Sequence, residues 1–283
     1  MAKQKKVALL NRLIGEGWFA DRREAEVWVM TRKVLVNDRP AMSVMEKVLP
    51  SDIIRVKEHY KTKYVGKGGL KLEGALHDFG VDVRDLVALD CGASTGGFTD
   101  CLVSQGASLV YAVDVGFGQL AGKLAQSARV VNMEKTNLSD ERLLSLSPRP
   151  SLITLDLSYL SLKAAVPICQ KILHGRGAII ALIKPLFEVS APEVRREGKI
   201  DNPQMLRDIL RDICAHFSAS EMDILGLTNS PVTGNHNTLE YFIHLSCGVE
   251  VGERLNGRFE GALEAALERS LQLEKFDKNS AEV

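Results

Sequence analysis

From Leu86 onward, short apolar runs alternate with helix-length amphipathic stretches, and few folds accept that pattern. The runs are Leu86–Asp90, Leu109–Asp114, Arg129–Asn132, Leu152–Asp156, Ala178–Ile183, Met222–Gly226 and Tyr241–Leu245. Apart from Arg129–Asn132, they are largely apolar rather than apolar at every second residue, as strands covered on both faces must be. Strands that alternate with helices predict an α/β, doubly wound, Rossmann-like sheet whose ligands sit at the carboxyl ends of the strands. The chemistry is therefore expected in the loops that follow these runs.

Two of those ends stand out. Leu86-Val87-Ala88-Leu89-Asp90 runs into Cys91-Gly92-Ala93-Ser94-Thr95-Gly96-Gly97-Phe98, and the following run ends on Asp114-Val115. Glycines at a strand-to-helix turn let the backbone approach a ligand closely, and an acid ending the second strand can hold both hydroxyls of a ribose. NAD enzymes and S-adenosylmethionine (AdoMet) enzymes share that logic, and the spacing separates them. A dinucleotide fingerprint is Gly-x-Gly-x-x-Gly, whereas here Gly92, Gly96 and Gly97 follow Asp90. That form resembles the first motif of AdoMet-dependent methyltransferases, where no pyrophosphate has to be cradled at the helix N-terminus. The resemblance implies AdoMet as cofactor, bound by Asp90, Gly92, Ala93, Ser94, Thr95, Gly96, Gly97, Phe98, Asp114 and Val115.

The formal net charge is zero, 36 Lys+Arg against 36 Asp+Glu, which at first argues against a polyanionic partner. It is a cancellation. Residues 1–71 hold 16 basic and 8 acidic side chains, a net of +8, and residues 72–283 hold 20 and 28, a net of −8. A module with its own positive field is drawn to phosphate even when the whole chain is neutral. Its pattern reads helix, helix, strand, strand. Val7, Leu10, Leu13 and Ile14 recur at helical spacing up to Gly15-Glu16-Gly17; Asp21 and Glu24 form a capping-box pattern ahead of Ala25, Val27, Trp28 and Val29. Val34-Leu35-Val36, a tight turn at Asn37-Asp38, and Ile53-Ile54-Arg55-Val56 complete it. Asp21-Arg22-Arg23-Glu24-Ala25 followed by Arg32-Lys33-Val34-Leu35-Val36-Asn37-Asp38 resembles the alpha-L RNA-binding motif of a small-subunit ribosomal protein and many pseudouridine synthases. Asp21 stands for its serine and Asp38 for its glycine. The resemblance implies a small α+β RNA-binding domain in which Lys6, Arg12, Arg22, Arg23, Arg32 and Lys33 meet phosphates and RNA shape.

The later strand ends indicate what is methylated. Asp156-Leu157-Ser158-Tyr159 lacks the prolines of the Asp-Pro-Pro-Tyr loop of amino-methylating enzymes. Cys169 follows Ile168, not the proline typical of carbon-5 cytosine enzymes, which need a thiol nucleophile. What remains is Lys71 on the entering helix, Asp156, Lys184 and Glu240. These four look like the Lys-Asp-Lys-Glu tetrad of FtsJ-type RNA ribose 2′-O-methyltransferases. With the alpha-L domain in front, the chain resembles the TlyA (haemolysin A) family of ribosomal-RNA cytidine 2′-O-methyltransferases. The likeness runs from about residue 5 to 248, through blocks such as Asp114-Val115-Gly116-Phe117-Gly118, Glu134-Lys135-Thr136-Asn137 and Ile183-Lys184-Pro185-Leu186-Phe187-Glu188.

A ribose hydroxyl is a poor nucleophile at neutral pH and must lose its proton as it attacks. Lys184 is the candidate to take or steer that proton, with Asp156 fixing its direction; sequence alone allows it to be either base or electrostatic stabiliser. Glu240 is expected to orient Lys71 or the ribose. Lys67, one turn earlier in Gly66-Lys67-Gly68-Gly69-Leu70-Lys71-Leu72, competes with Lys71 for its place, which goes to Lys71 because the family's lysine directly precedes such a leucine. Arg195, Arg196 and Lys199 around Gly198 fit a basic loop along RNA backbone or a solvated loop equally well, and His236 reads as a loop histidine.

No run approaches the roughly 18 apolar residues of a membrane span, and the basic start is followed by no apolar leader segment. A cytoplasmic protein acting on ribosomal subunits is expected, with no membrane partner. The five cysteines, Cys91, Cys101, Cys169, Cys214 and Cys247, show no metal-ligand spacing and are expected as buried thiols, with no metal. The expected domains are 1–58 (alpha-L), 59–66 (linker), 67–248 (methyltransferase) and 249–283, an amphipathic helix and tail with apolar residues at 255, 259, 263, 267 and 271. Two rival readings are a non-catalytic ribosome-assembly factor that keeps the fold, and the membrane lysis that the name haemolysin suggests, for which the sequence offers no strongly basic amphipathic face.

Overall fold

The computed structural model describes residues 6–16, 18–19, 22–56, 63–158, 160–189, 194, 198, 200, 202–220, 222–234, 237–248, 255 and 258–273. The chain divides into two compact units, Met1–Gly66 and Lys67–Phe276.

The first unit strings together β1 (Val7–Ala8), α1 (Leu9–Gly15), α2 (Arg22–Met30), β2 (Val34–Val36), β3 (Arg39–Pro40), β4 (Lys47–Val48) and β5 (Ile54–Val56). Leu9, Leu13, Phe19, Ala25, Val29, Val34, Val48 and Val56 form its core. Asn37 and Asp38 both take positive φ, 49° and 64°, so the turn between β2 and β3 is of the primed kind that matches strand twist. β5 pairs antiparallel with β2 on its other edge. The strands β1, β3 and β4 were not expected, since two residues are too few to show a period. The capping residue Asp21 and the side chain of Glu24 lie outside the described residues.

The second unit opens with α3 (Lys67–Phe79), then runs β6 (Val87–Cys91), α4 (Gly97–Ser104), β7 (Leu109–Val113), α5 (Gly122–Ala125), β8 (Val130–Met133), a 3-10 turn at Glu141–Ser145, and β9 (Leu152–Leu155). It continues with α6 (Leu162–Ile172), β10 (Gly177–Ile183), α7 (Pro185–Glu188), α8 (Pro203–Ser218), β11 (Asp223–Asn229), β12 (Tyr241–Cys247) and α9 (Phe259–Leu271). All seven expected strands form one sheet, in the order β11-β12-β10-β9-β6-β7-β8. The five strands from β10 to β8 are parallel, and β12 runs antiparallel between β10 and β11. Order reverses between β6 and β9, the crevice where such sheets bind ligands.

The centre of the sheet is buried on both faces, with every residue of β9 and β12 enclosed, while the edge strand β8 exposes Val131 and Asn132. The five cysteines are free and buried. Helix α9 belongs to this unit. Its Leu263, Ala266 and Leu267 enter the core, Ser270 Oγ meets the Tyr241 hydroxyl at 2.8 Å, and Glu260 and Glu264 pair with Arg211 and Arg207 of α8. Among the described residues no helix is long and apolar enough to cross a membrane.

Candidate active site

The direction of β12 explains how residues remote in sequence meet. Asp156 directly follows β9 and Lys184 directly follows β10, so both emerge at the carboxyl edge of the parallel strands. Glu240 precedes β12, and because β12 is antiparallel its start lies at that same edge, with Tyr241 opposite Ile183. Lys71 arrives from α3, which lies against α4. The result is two ion pairs. Lys71 Nζ donates to Glu240 Oε2 in a short contact, both side chains about 6% exposed. Lys184 Nζ lies 2.6 Å from Asp156 Oδ1, half-buried, and also reaches Ser158 Oγ at 3.3 Å. The Lys184–Asp156 contact is close but poorly aligned, so buried Oδ1 has charge contact and no well-directed hydrogen bond. Gly234 lies directly beneath Glu240: a β-carbon there would displace the Glu240 carboxylate and the Thr238 hydroxyl.

A cavity of about 280 Å³ opens beside Lys184 and Glu240, lined also by Ser158, Phe187, Ile200, Leu206 and Leu239. Its lining mixes the polar groups of Ser158, Lys184, Thr238 and Glu240 with apolar side chains, as in small-molecule sites.

The loop after β6 is built to bring backbone near a ligand. Gly92 has φ +85°, and a β-carbon on it would strike the Asp156 carbonyl oxygen, so only glycine lets the loop pass the β9 end. Ser94 and Thr95 are exposed at its crest. Asp114 ends β7 and accepts from the backbone N–H of Ser94 (2.8 Å, Oδ2) and of Gly116 (2.6 Å, Oδ1). Each of its oxygens keeps a lone pair for a further donor. Val115 is exposed beside it. These features fit AdoMet: a glycine-relaxed crest for the amino-acid end and a carboxylate for ribose hydroxyls.

Two of the expected cofactor residues take other positions. Asp90 is fully buried beneath the loop, its carboxylate accepting from Thr99 Oγ1 (2.6 Å) and Thr154 Oγ1 (3.1 Å), so it braces the loop from below. Burial pushes its pKa up to about 7, against the hydrogen bonds of both threonines, with the Asp156 charge adding to the rise. Phe98 is likewise buried and packs on Phe242, ring centroids 5.9 Å apart. Glu134 contributes a support that sequence reading passed over: its carboxylate receives the Gln119 N–H at 3.1 Å, and hydrogen bonds from this loop, Gly118 first, hold its pKa low.

Of the expected RNA contacts in the first unit, Lys6, Arg22, Arg23 and Arg32 are exposed. Arg22 pairs with Glu26 at 2.7 Å, an exposed i,i+4 contact of little strength, and Lys33 lies over the Trp28 ring. Arg12 differs. Its guanidinium donates to the carbonyls of Leu49 (2.9 Å) and Asp52 (2.7 Å) and to Glu16, at 16% exposure, so it clamps the module together and presents little charge to a ligand. Arg195, Arg196, Lys199, His236 and Tyr159 lie outside the described residues. Among the described residues no group of three or more His, Cys, Asp or Glu side chains could hold a metal ion.

Fold and site together define a methyltransferase: residues 64–247 match the model of the FtsJ-like methyltransferases. Similarity over the longer chain narrows this. The chain is 38% identical to YqxC, an rRNA methyltransferase candidate of Bacillus subtilis, over 85% of its own length and 86% of that protein's. It is 32% identical to the 16S/23S rRNA (cytidine-2′-O)-methyltransferase TlyA of Mycobacterium tuberculosis, over 82% and 87% of the two. A solved hemolysin candidate from Streptococcus thermophilus superposes with a TM-score of 0.68 at 31% identity, covering 94% of this chain and 98% of that one. The chain belongs to the TlyA (haemolysin A) family of FtsJ-like methyltransferases.

Proposed function

We propose that this protein transfers the methyl group of AdoMet to the ribose 2′-oxygen of a cytidine in ribosomal RNA, in the cytoplasm where ribosomes are assembled. The observation that carries the reading is the pairing Lys71–Glu240 and Lys184–Asp156 at the sheet edge where the glycine loop also ends. AdoMet, when bound, supplies an electrophilic sulfonium methyl. The chain's own residues supply position and proton handling. Lys184, held by Asp156 and Ser158, presents N–H donors to the 2′-oxygen and stabilises the negative charge that grows there. The proton that the 2′-hydroxyl sheds as it attacks is taken up by the Lys184–Asp156 pair, whose Nζ and Oδ1 lie 2.6 Å apart. The buried Lys71–Glu240 pair forms a rigid floor that fixes where the ribose rests. The cavity beside Lys184 is where the nucleotide enters. The exposed cations Arg22, Arg23 and Arg32 suit the first unit to gripping RNA phosphates.

The test uses methyl-labelled AdoMet and ribosomal subunits, followed by alkaline digestion of the RNA. A 2′-O-methyl group blocks cleavage at its own nucleotide, so label is expected in alkali-resistant dinucleotides whose first nucleoside is cytidine. Label confined to mononucleotides would overturn the proposal.

A further inference from the structure

Lys67 opens α3 one turn before Lys71, so the two ammonium stems leave the same face of that helix. Its Nζ donates to the Thr233 carbonyl at 3.3 Å, in the loop whose next residue, Gly234, lies beneath Glu240. The Lys67 ammonium thus lies beside the loop that carries Gly234 and Glu240, near enough to feel the charges of Lys71, Glu240 and Asp156. Burial first, then the charge of Lys71, pushes its pKa down, with Glu240 and Asp156 opposing.

The charge balance there is uneven. Lys71 is matched by Glu240 and Lys184 by Asp156, while among the described residues Lys67 meets a carbonyl and no carboxylate. Among the described residues this region holds three ammonium groups, Lys67, Lys71 and Lys184, against two carboxylates, Glu240 and Asp156. A half-buried cation without a counter-charge is costly unless a ligand supplies the anion. On the reading of the site given above, the anion nearest the reacting atom is the 3′-phosphate of the target nucleotide, because the 2′- and 3′-oxygens sit on adjacent ribose carbons. We propose that Lys67 grips the RNA phosphate on the 3′ side of the methylated ribose and so sets the register of the strand against Lys184. Its role is positioning. The competing anion in the same cleft is the carboxylate of AdoMet.

The experiment compares the full-length wild type with Lys67→Met and Lys67→Arg on ribosomal RNA from cells lacking this gene. Three quantities are read: RNA affinity as a function of salt, KM against kcat, and AdoMet affinity by calorimetry. Losing one charge-assisted contact should raise KM for RNA about tenfold or more, by a larger factor than kcat falls. It should also lower the slope of log affinity against log salt by about one counterion. Lys67→Arg should restore the slope, and AdoMet affinity should not change. An unchanged slope in Lys67→Met with a lowered melting temperature would make Lys67 a structural tie to Thr233. A weakened AdoMet affinity with RNA binding intact would assign it to the cofactor carboxylate. Either result overturns the proposal. Because RNA binding is read without turnover, a wild type that binds RNA and transfers no methyl would refute the enzymatic reading separately.

Discussion

Asp90 sits below the loop that follows β6, and among the described residues it meets two threonine hydroxyls and no cation, which sets how its ionisation bears on stability. Its side chain is fully buried between Thr99 and Thr154, and burial raises its pKa from the ordinary 3.8 to about 7. A carboxyl whose folded pKa lies above its unfolded one holds its proton in the folded state while the unfolded chain has released it. Stability is therefore greatest below the unfolded value and falls as pH rises toward the folded one. Each tenfold difference in proton affinity is worth about 1.4 kcal/mol, so the full penalty above neutral pH is about 4 kcal/mol. Between about pH 5 and about pH 8 the part still to be lost is roughly 2–3 kcal/mol. Asp90→Asn removes the titration while keeping the shape, its amide oxygen accepting from one threonine and its N–H donating to the other. The assay is urea unfolding of both proteins, without AdoMet because a ligand shifts apparent stability. Both tryptophans, Trp18 and Trp28, lie in the first unit. Far-UV circular dichroism follows mainly the helices of the second unit, and tryptophan fluorescence reports the first. The stability of Asp90→Asn relative to wild type should improve by about 2–3 kcal/mol from about pH 5 to about pH 8. A difference that stays constant with pH would refute the reasoning, since Asp90 would then be ionised in the folded protein despite its burial.

Other consequences follow from the same geometry. Gly92→Ala combines a forbidden φ with a clash on the Asp156 carbonyl, so it should weaken AdoMet binding and methyl transfer together; calorimetry that found unchanged affinity would contradict the role given to this turn. Lys71→Met or Glu240→Gln alone leaves a buried partner unmatched and should cost about 3–5 kcal/mol, while the double variant should cost much less than the sum, a coupling that denaturant unfolding of the four proteins measures. Replacing Arg23 and Arg32 with Ala should lower the salt dependence of RNA binding with little effect on stability, whereas Arg12→Ala should lower the melting temperature of the first unit through loss of its bonds to Leu49, Asp52 and Glu16.

The sheet was legible because strands buried on both faces are largely apolar, and all seven runs, including the half-exposed edge strand β8, could be found within a residue or a few of their observed ends. Direction was not legible. Periodicity carries no sign, so nothing in Tyr241–Cys247 told that this strand runs backward, and it is that reversal which brings Glu240 to the sheet edge that carries Asp156 and Lys184. The tetrad was therefore identified by its resemblance to a known pattern, and the antiparallel register gives the physical reason it converges. Arg12 shows the opposite limit. A basic residue on an exposed-looking helix reads as a phosphate contact, but its acceptors are carbonyls 37 and 40 residues away, a pairing that only the tertiary fold creates. Asp90 could be found by its motif, while its burial, and hence its supporting position, depended on Thr99 and Thr154 arriving from a helix and a neighbouring strand.

Ribose methylation on ribosomal RNA is the role proposed for Lys184 and its partners. The most direct test maps alkali-resistant positions in ribosomal RNA from cells with the gene, without it, and complemented with either the wild type or Lys184→Ala. At least one resistant cytidine should vanish on deletion, return with the wild type, and stay absent with Lys184→Ala although that variant still binds AdoMet. Restoration of resistance by Lys184→Ala would remove Lys184 from the reaction, and no cytidine that differs between the strains would rule out the proposed activity.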